Sequence, residues 1–189
     1  MSLLTRAETK SIGDYQIEEH VSGLSYPWAI AFISANHYLV TEKTETLRQI
    51  VDQRVSDAIT GPPEDIYIKG QEGLLDVVLH PNYRTNKWLY LSYSVGNDDS
   101  NTLKVIRARL NENSLVDLEA IYSVLPMRDT PVHYGTRLTF MPDNTLLITS
   151  GDGFDYREGS QRLDNHMGKI IWVNDDGSLP LDNPFVGES

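Results

Sequence analysis

The feature that most constrains the fold of this chain is a threefold repeat of paired apolar segments. In each copy, a short apolar segment is followed by a polar turn and by a second apolar segment that ends in a hydroxyl residue. The hydroxyl residues are Thr41, Ser92 and Thr149, so the repeat spans roughly 50–60 residues. The segments are too short for ordinary helices and are rich in Val, Ile, Leu, Tyr and Trp. The repeat therefore predicts pairs of antiparallel strands.

The same pattern along the whole chain predicts an all-β fold, because no long stretch has the 3.6-residue period of a helix. The predicted strands are Ala29–Ile33, Tyr38–Glu42, Leu47–Val51, Leu75–Leu79, Trp88–Ser94, Thr102–Arg109, Glu119–Val124, Arg137–Phe140, Leu146–Ser150 and Lys169–Val173. A repeat of this length, made of short antiparallel strands, is typical of the blades of a β-propeller. The alternative is a β-sandwich whose hairpins resemble one another in composition.

The repeat divides the chain into about three blades, at roughly residues 24–70, 71–130 and 131–189. Residues 1–23 are interpreted as a lead-in strand or a cloning scar. Because propellers close with about four to eight blades, we expect these three to be part of a larger ring. A partial ring would leave two apolar flanks uncovered, and we expect the chain to associate through them.

Charge and composition exclude several classes of function. The 189 residues include 16 Lys and Arg against 27 Asp and Glu, a formal net charge of -11. A surplus of carboxylates repels phosphate backbones and anionic lipids, so we predict no nucleic-acid partner. The absence of Cys excludes disulfides, thiolate zinc sites and a cysteine nucleophile. No apolar run approaches the ~20 residues of a membrane span, and no signal peptide is visible at the start.

Four segments, in this order, carry a family resemblance: Tyr26–Phe32, Gly70–Pro81, His133–Leu138 with Gly151-Asp152, and His166–Ser178. Together they resemble the soluble quinoprotein aldose dehydrogenases, the glucose/sorbosone dehydrogenase family, from about Leu24 to Phe185. The resemblance implies that this chain is the N-terminal half of a six-bladed β-propeller. It also implies oxidation of aldose sugars with pyrroloquinoline quinone (PQQ) and calcium, and a periplasmic or secreted location.

The resemblance also implies the site residues. His133 matches the base that takes the sugar hydroxyl proton, and imidazole suits this role because it titrates near neutral pH. Asp152 matches its carboxylate partner, and Gln71 matches an amide that faces sugar and quinone. Arg137 matches an arginine of the same stretch, for which a cofactor contact and an ion pair between loops are both open. Val132 departs from the family pattern, which often has Asp before the His, so the resemblance does not define the hexose preference.

We expect no metal site within this chain, because in the family the calcium ligands and the cations that hold the quinone carboxylates come from later blades. A fragment without them is expected to be inactive alone. Two other classes stay open: a noncatalytic propeller that binds a protein partner, and a calcium-dependent lactonase-like propeller. Trp28, Trp88 and Trp172 lie in strand patterns and are predicted to be core residues.

Overall fold

The computed structural model describes residues 10–13 and 15–185, so residues 1–9 of the predicted lead-in segment and the last four residues lie outside it. The strands are β1 (Lys10–Ile12), β2 (Tyr15–Ile17), β3 (Pro27–Ser34), β4 (His37–Glu42), β5 (Thr46–Val51), β6 (Arg54–Ala58), β7 (Leu74–Leu79), β8 (Trp88–Gly96), β9 (Asn101–Asn111), β10 (Ser114–Ser123), β11 (Leu138–Phe140), β12 (Leu146–Ser150) and β13 (Lys169–Val173). A one-turn helix, α1, spans Tyr83–Asn86. The prediction of an all-β chain is confirmed.

The strands form three antiparallel meanders and a small β1–β2 hairpin. The first sheet has the order β3-β4-β5-β6, the second β7-β8-β9-β10 and the third β11-β12-β13. All ten predicted strands are present. β10 begins five residues before the predicted start at Glu119, and β6 was not predicted, because Arg54-Val55-Ser56-Asp57-Ala58 is an edge strand with mostly polar residues.

The second sheet lies between the other two and is buried on both faces. Neighbouring side chains of β7 point to opposite sides, so Leu74 packs in the core with the first sheet and Leu75 in the core with the third. On β8, Leu89 and Leu91 face the first core, whereas Tyr90 faces the second. This two-sided burial explains why β8 reads as an almost continuous apolar run.

The repeated hydroxyl residues have the same structural role in all three sheets. Each stands on the second strand of its sheet and accepts a backbone N–H from the chain entering or forming the first strand. Ala29 donates to Thr41 Oγ1 at 3.1 Å, Asp76 to Ser92 Oγ at 2.9 Å and Arg137 to Thr149 Oγ1 at 2.8 Å. The repeat therefore corresponds to a real structural equivalence between the sheets.

The outward faces of the first and third sheets carry apolar side chains. Ile30 and Phe32 on β3 are 50% and 60% exposed, and Ile170 on β13 is 71% exposed. No helix in the described ranges has the length and apolar character that a membrane crossing requires.

Candidate active site

A cavity of about 690 Å³ opens where the first strands of the three sheets meet. Strand β7 contacts both β3 and β11, so the loops that lead into these strands come together at one end. The cavity is lined by Trp28 of β3, by Leu75 of β7 and by loop residues next to the second and third sheets, among them Gln71, His133, Thr136 and Asp152. Three of the four predicted site residues are thus brought together.

The centre of the site is a hydrogen bond between His133 and Asp152. Nδ1 of His133 lies 2.9 Å from Oδ1 of Asp152. The same carboxylate oxygen accepts the backbone N–H of Phe154 at 2.9 Å. The bond from Phe154 has the larger effect and the bond with His133 the next, and both hold the pKa of the Asp152 carboxyl below its usual value. With a carboxylate at Nδ1, the proton of the neutral ring lies on that nitrogen and the lone pair on Nε2.

A close approach of two backbone segments makes this contact possible. A Cβ atom at Gly151 would lie 1.9 Å from the carbonyl oxygen of His133, so only glycine fits there. The Gly151 N–H donates to the carbonyl of Tyr134 at 2.7 Å. His133 itself has a left-handed backbone, with φ of 54°, which is uncommon outside glycine and which tertiary contacts must hold in place.

Gln71 supplies one of those contacts. Its Oε1 accepts the backbone N–H of His133 at 2.9 Å, and its own backbone N–H donates to the carbonyl of Pro131 at 3.1 Å. Because Oε1 is engaged by a donor, the side-chain NH₂ of Gln71 is the group left to meet a ligand. The family resemblance implied an amide that faces sugar and quinone, and in the structure the oxygen of this amide is bonded to the backbone of the protein.

Arg137 lies apart from the three residues just described. Its Nη1 is 3.3 Å from Asp76 Oδ1, and its guanidinium lies 5.8 Å from the centre of the Trp28 ring. Asp76 is buried and also accepts the backbone N–H of Leu138 at 2.7 Å. Arg137 is not among the residues that line the cavity. The sequence analysis left two roles open for Arg137, a cofactor contact and an ion pair between loops. The structure shows an ion pair, which Arg137 makes with Asp76 of β7.

Two aromatic residues of the site were missed by the sequence reasoning. Trp28 was predicted to be a core residue, but it is 41% exposed and lines the cavity. The prediction was wrong because strand alternation alone does not say whether a neighbouring sheet covers a face. Phe154 meets the His133 ring edge to face, with centroids 5.1 Å apart. Its place two residues after Asp152 was the only available signal.

The charges around the cavity limit what this part of the chain can hold. Of the described residues that line it, none is Lys or Arg. Within residues 10–13 and 15–185, no cluster of three or more His, Asp or Glu side chains is arranged to bind a metal ion. The lining therefore offers an imidazole, an amide donor and an indole face, but no Lys or Arg side chain for an anionic ligand.

Comparison with known proteins gives a consistent result. The Glucose / Sorbosone dehydrogenase family model matches residues 24–189. The aldose sugar dehydrogenase YliI of Escherichia coli is 36% identical over 171 residues, which cover 88% of this chain and 46% of the relative. The crystal structure of the soluble aldose sugar dehydrogenase from Escherichia coli in its apo form superimposes with a TM-score of 0.82, covering 88% of this chain and 49% of that one.

A more distant relative is the quinoprotein glucose dehydrogenase B of Acinetobacter calcoaceticus. It is 26% identical over 191 residues, which cover 87% of this chain and 40% of the relative. The chain thus spans about half the length of the curated relatives it matches.

Proposed function

Since the chain belongs to the glucose/sorbosone dehydrogenase family, we propose that it forms part of a PQQ-dependent dehydrogenase that oxidises aldose sugars, with His133 as the general base. The observation that carries this proposal is the 2.9 Å bond between His133 Nδ1 and Asp152 Oδ1 in a cavity that a small ligand can enter. A base that is oriented by a carboxylate is the arrangement that proton abstraction from a hydroxyl requires.

In this proposal the residues act as follows. Asp152 holds the imidazole so that the lone pair of Nε2 is available, and Nε2 takes the proton of the sugar hydroxyl. The NH₂ group of Gln71 donates to an oxygen of the ligand, because its Oε1 is held by His133. Trp28 offers an apolar face at the edge of the cavity. For Arg137, a cofactor contact is the weaker of the two roles, since Asp76 already engages its guanidinium.

The cofactor assignment follows from the family and from the naming of the Acinetobacter relative as a quinoprotein. PQQ, when bound, supplies the acceptor of the hydride. The donors described here fit the uncharged face of such a ligand, whereas its carboxylates need cations that the cavity lining lacks. We therefore propose that the cations and the calcium ligands come from sequence beyond this chain, and that the 189 residues alone are inactive.

We further propose that the three sheets are blades of a six-bladed β-propeller, at roughly 24–70, 71–130 and 131–189. The meander order of each sheet, its equivalent hydroxyl bond and the length of the relatives support this. The exposed Ile30, Phe32 and Ile170 then mark flanks that further blades cover, and the isolated chain is expected to associate through them. A monodisperse monomer in light scattering would contradict this. A periplasmic or secreted location is part of the same proposal.

The test is turnover by the complete protein, reconstituted with PQQ and calcium and assayed on a panel of aldoses with a dye acceptor. We expect sugar-dependent reduction of the dye, and in His133→Ala a fall in kcat of about 10²–10⁴-fold with PQQ binding nearly unchanged. His20→Ala is the matched control, because His20 is exposed and does not line this cavity. No turnover and no PQQ binding by the wild type would favour a noncatalytic propeller, and hydrolysis of a lactone would favour the lactonase class.

A further inference from the structure

Two oppositely charged side chains are buried beneath the site. Glu72 is 0% exposed and Arg128 is 3% exposed. Among the described residues, neither carboxylate oxygen of Glu72 has a hydrogen-bond partner, and neither do Nε and Nη2 of Arg128. Burial of a charge is costly unless another charge or a polar group compensates it, so the placement of these two residues requires an explanation.

Tyr134, which is 2% exposed, lies against Arg128 and is close enough to Glu72 to lower its pKa. The guanidinium carbon of Arg128 is 3.8 Å from the centre of the Tyr134 ring. The Tyr134 hydroxyl donates to Oδ1 of Asn101, which is also buried. The backbones of Asn101 and Arg128 exchange two hydrogen bonds, of 2.7 and 2.9 Å. Arg128 is thus held by the ring of Tyr134 and by its own backbone. Among the cations near Glu72, Arg128 lowers the pKa of the Glu72 carboxyl the most, ahead of Lys43 and Lys69.

Each member of this buried group adjoins one residue of the site. Glu72 directly follows Gln71, and Tyr134 directly follows His133. Nη1 of Arg128 donates to the carbonyl of Gly151 at 3.3 Å, immediately before Asp152. On the other side of Asp152, a Cβ at Gly153 would lie 2.8 Å from Cδ of Arg128. The group therefore supports the backbone on both sides of the His133–Asp152 bond.

We propose that Glu72 is a positioning residue: with Arg128 and Tyr134 it holds the 71–72, 133–134 and 151–153 backbone segments so that Nδ1 of His133 meets Asp152. This inference deepens the proposed function and depends on it only for the kinetic readout. The hydrogen bond itself can be observed without sugar or cofactor.

The decisive measurement is the ring-nitrogen chemical shifts of His133 in the ¹⁵N-labelled complete protein, assigned by the loss of the signal in His133→Gln. In the wild type we expect the Nδ1–H tautomer. The spectra are recorded at pH 8, where Glu72 is ionised because its pKa is about 7. Glu72→Gln then keeps the shape of the side chain but removes its charge, and we expect a shift towards the Nε2–H tautomer. Glu42→Gln is the matched control, because Glu42 is 1% exposed and pairs with Arg48 at 2.6 Å but does not line the cavity. It should leave the His133 signals unchanged.

Steady-state kinetics of Glu72→Gln give a second readout beside the nitrogen chemical shifts. In the presence of PQQ, calcium and an aldose, we expect Glu72→Gln to lower kcat about 10–100-fold while KM changes less than about twofold, because the base is misplaced and not lost. If the wild type oxidises no aldose, the proposed function fails, and the tautomer comparison still tests the positioning role.

A variant that leaves Arg128 buried without a partner charge can unfold. The double variant Glu72→Gln/Arg128→Gln carries neither charge, and we expect it to fold and still to show the tautomer shift, since the hold on Gly151 is lost. Wild-type nitrogen shifts in either folded variant would overturn the proposal. Unfolding of both variants while Glu42→Gln folds would assign the pair to the stability of the whole fold, and would overturn a role specific to the site.

Discussion

The side-chain oxygen of Gln71 accepts the backbone N–H of His133 at 2.9 Å, and this bond joins the loop before β7 to the loop before β11 at the cavity. It fixes the orientation of an amide whose two ends would otherwise be interchangeable. It also stabilises a backbone at His133 that has a positive φ. One contact thus holds the backbone of His133 and leaves the NH₂ group of Gln71 as the part of the amide that can meet a ligand.

Substitution of Gln71 should separate these two effects. Gln71→Glu retains an oxygen for the His133 N–H, whereas Gln71→Leu does not. We expect Gln71→Leu to lower the free energy of unfolding by about 0.5–1.5 kcal/mol more than Gln71→Glu. Both variants lose the NH₂ donor, so both should raise the KM for the aldose. Urea unfolding and steady-state kinetics measure the two effects, and a normal KM in Gln71→Glu would contradict the donor role.

Asp152→Asn tests the charge beside the imidazole. The amide oxygen can still accept the N–H groups of Phe154 and of His133 Nδ1, but the variant loses the negative charge that stabilises the imidazolium formed when Nε2 takes a proton. We expect kcat to fall about 10²–10⁴-fold, with PQQ binding within about twofold of the wild type. Asp155→Asn is the control, because Asp155 is exposed in the same loop. Equal losses in the two variants would indicate damage to the loop and not to the base.

The stability of the protein should fall as the pH rises through the titration of Glu72. Burial raises the pKa of Glu72 from an ordinary 4.5 to about 7, against the opposing effects of Tyr134, Arg128, Lys43 and Lys69. Between these two pH values the folded state binds more protons than the unfolded state. The contribution of protonated Glu72 to the free energy of unfolding is therefore fully present below about pH 4.5 and is lost by about pH 7. The loss is about 3 kcal/mol.

Urea unfolding at pH 5 and pH 8 measures this effect in the wild type and in Glu72→Gln, which cannot titrate at this position. As the pH rises, the free energy of unfolding of the wild type should fall relative to that of the variant. Parallel pH profiles for the two proteins would show that Glu72 does not titrate in this range.

The repeated hydroxyl residues should contribute to stability in a comparable way. Ser92→Ala leaves the buried N–H of Asp76 without its partner, and we expect a loss of about 1–3 kcal/mol in the free energy of unfolding. Thr139→Val is the control, because Thr139 is exposed on β11 and should change the free energy by less than about 0.5 kcal/mol. Equal changes in the free energy of unfolding for the two substitutions would contradict a stabilising role for the repeated hydroxyl residues.

The sequence by itself determined the strands and their grouping into three sheets. Short apolar runs between turn residues can be buried only as strands, and hydroxyl residues that recur at equal places meet the same backbone N–H in each sheet. The pairing of His133 with Asp152 was implied by the family resemblance and not by the strand pattern, and the structure places the two side chains in contact, with Nδ1 2.9 Å from Oδ1.

Only the tertiary structure decided which side chains of these strands reach the cavity. Trp28 and Trp88 have similar strand patterns. A neighbouring sheet covers Trp88, which is 8% exposed, but leaves Trp28 open to the cavity. Likewise, the sequence shows Glu72 as a loop carboxylate next to glycine, and only the tertiary structure buries it near Arg128 and Tyr134. Contacts between sheets join residues that are far apart in the chain, and local patterning carries no information about them.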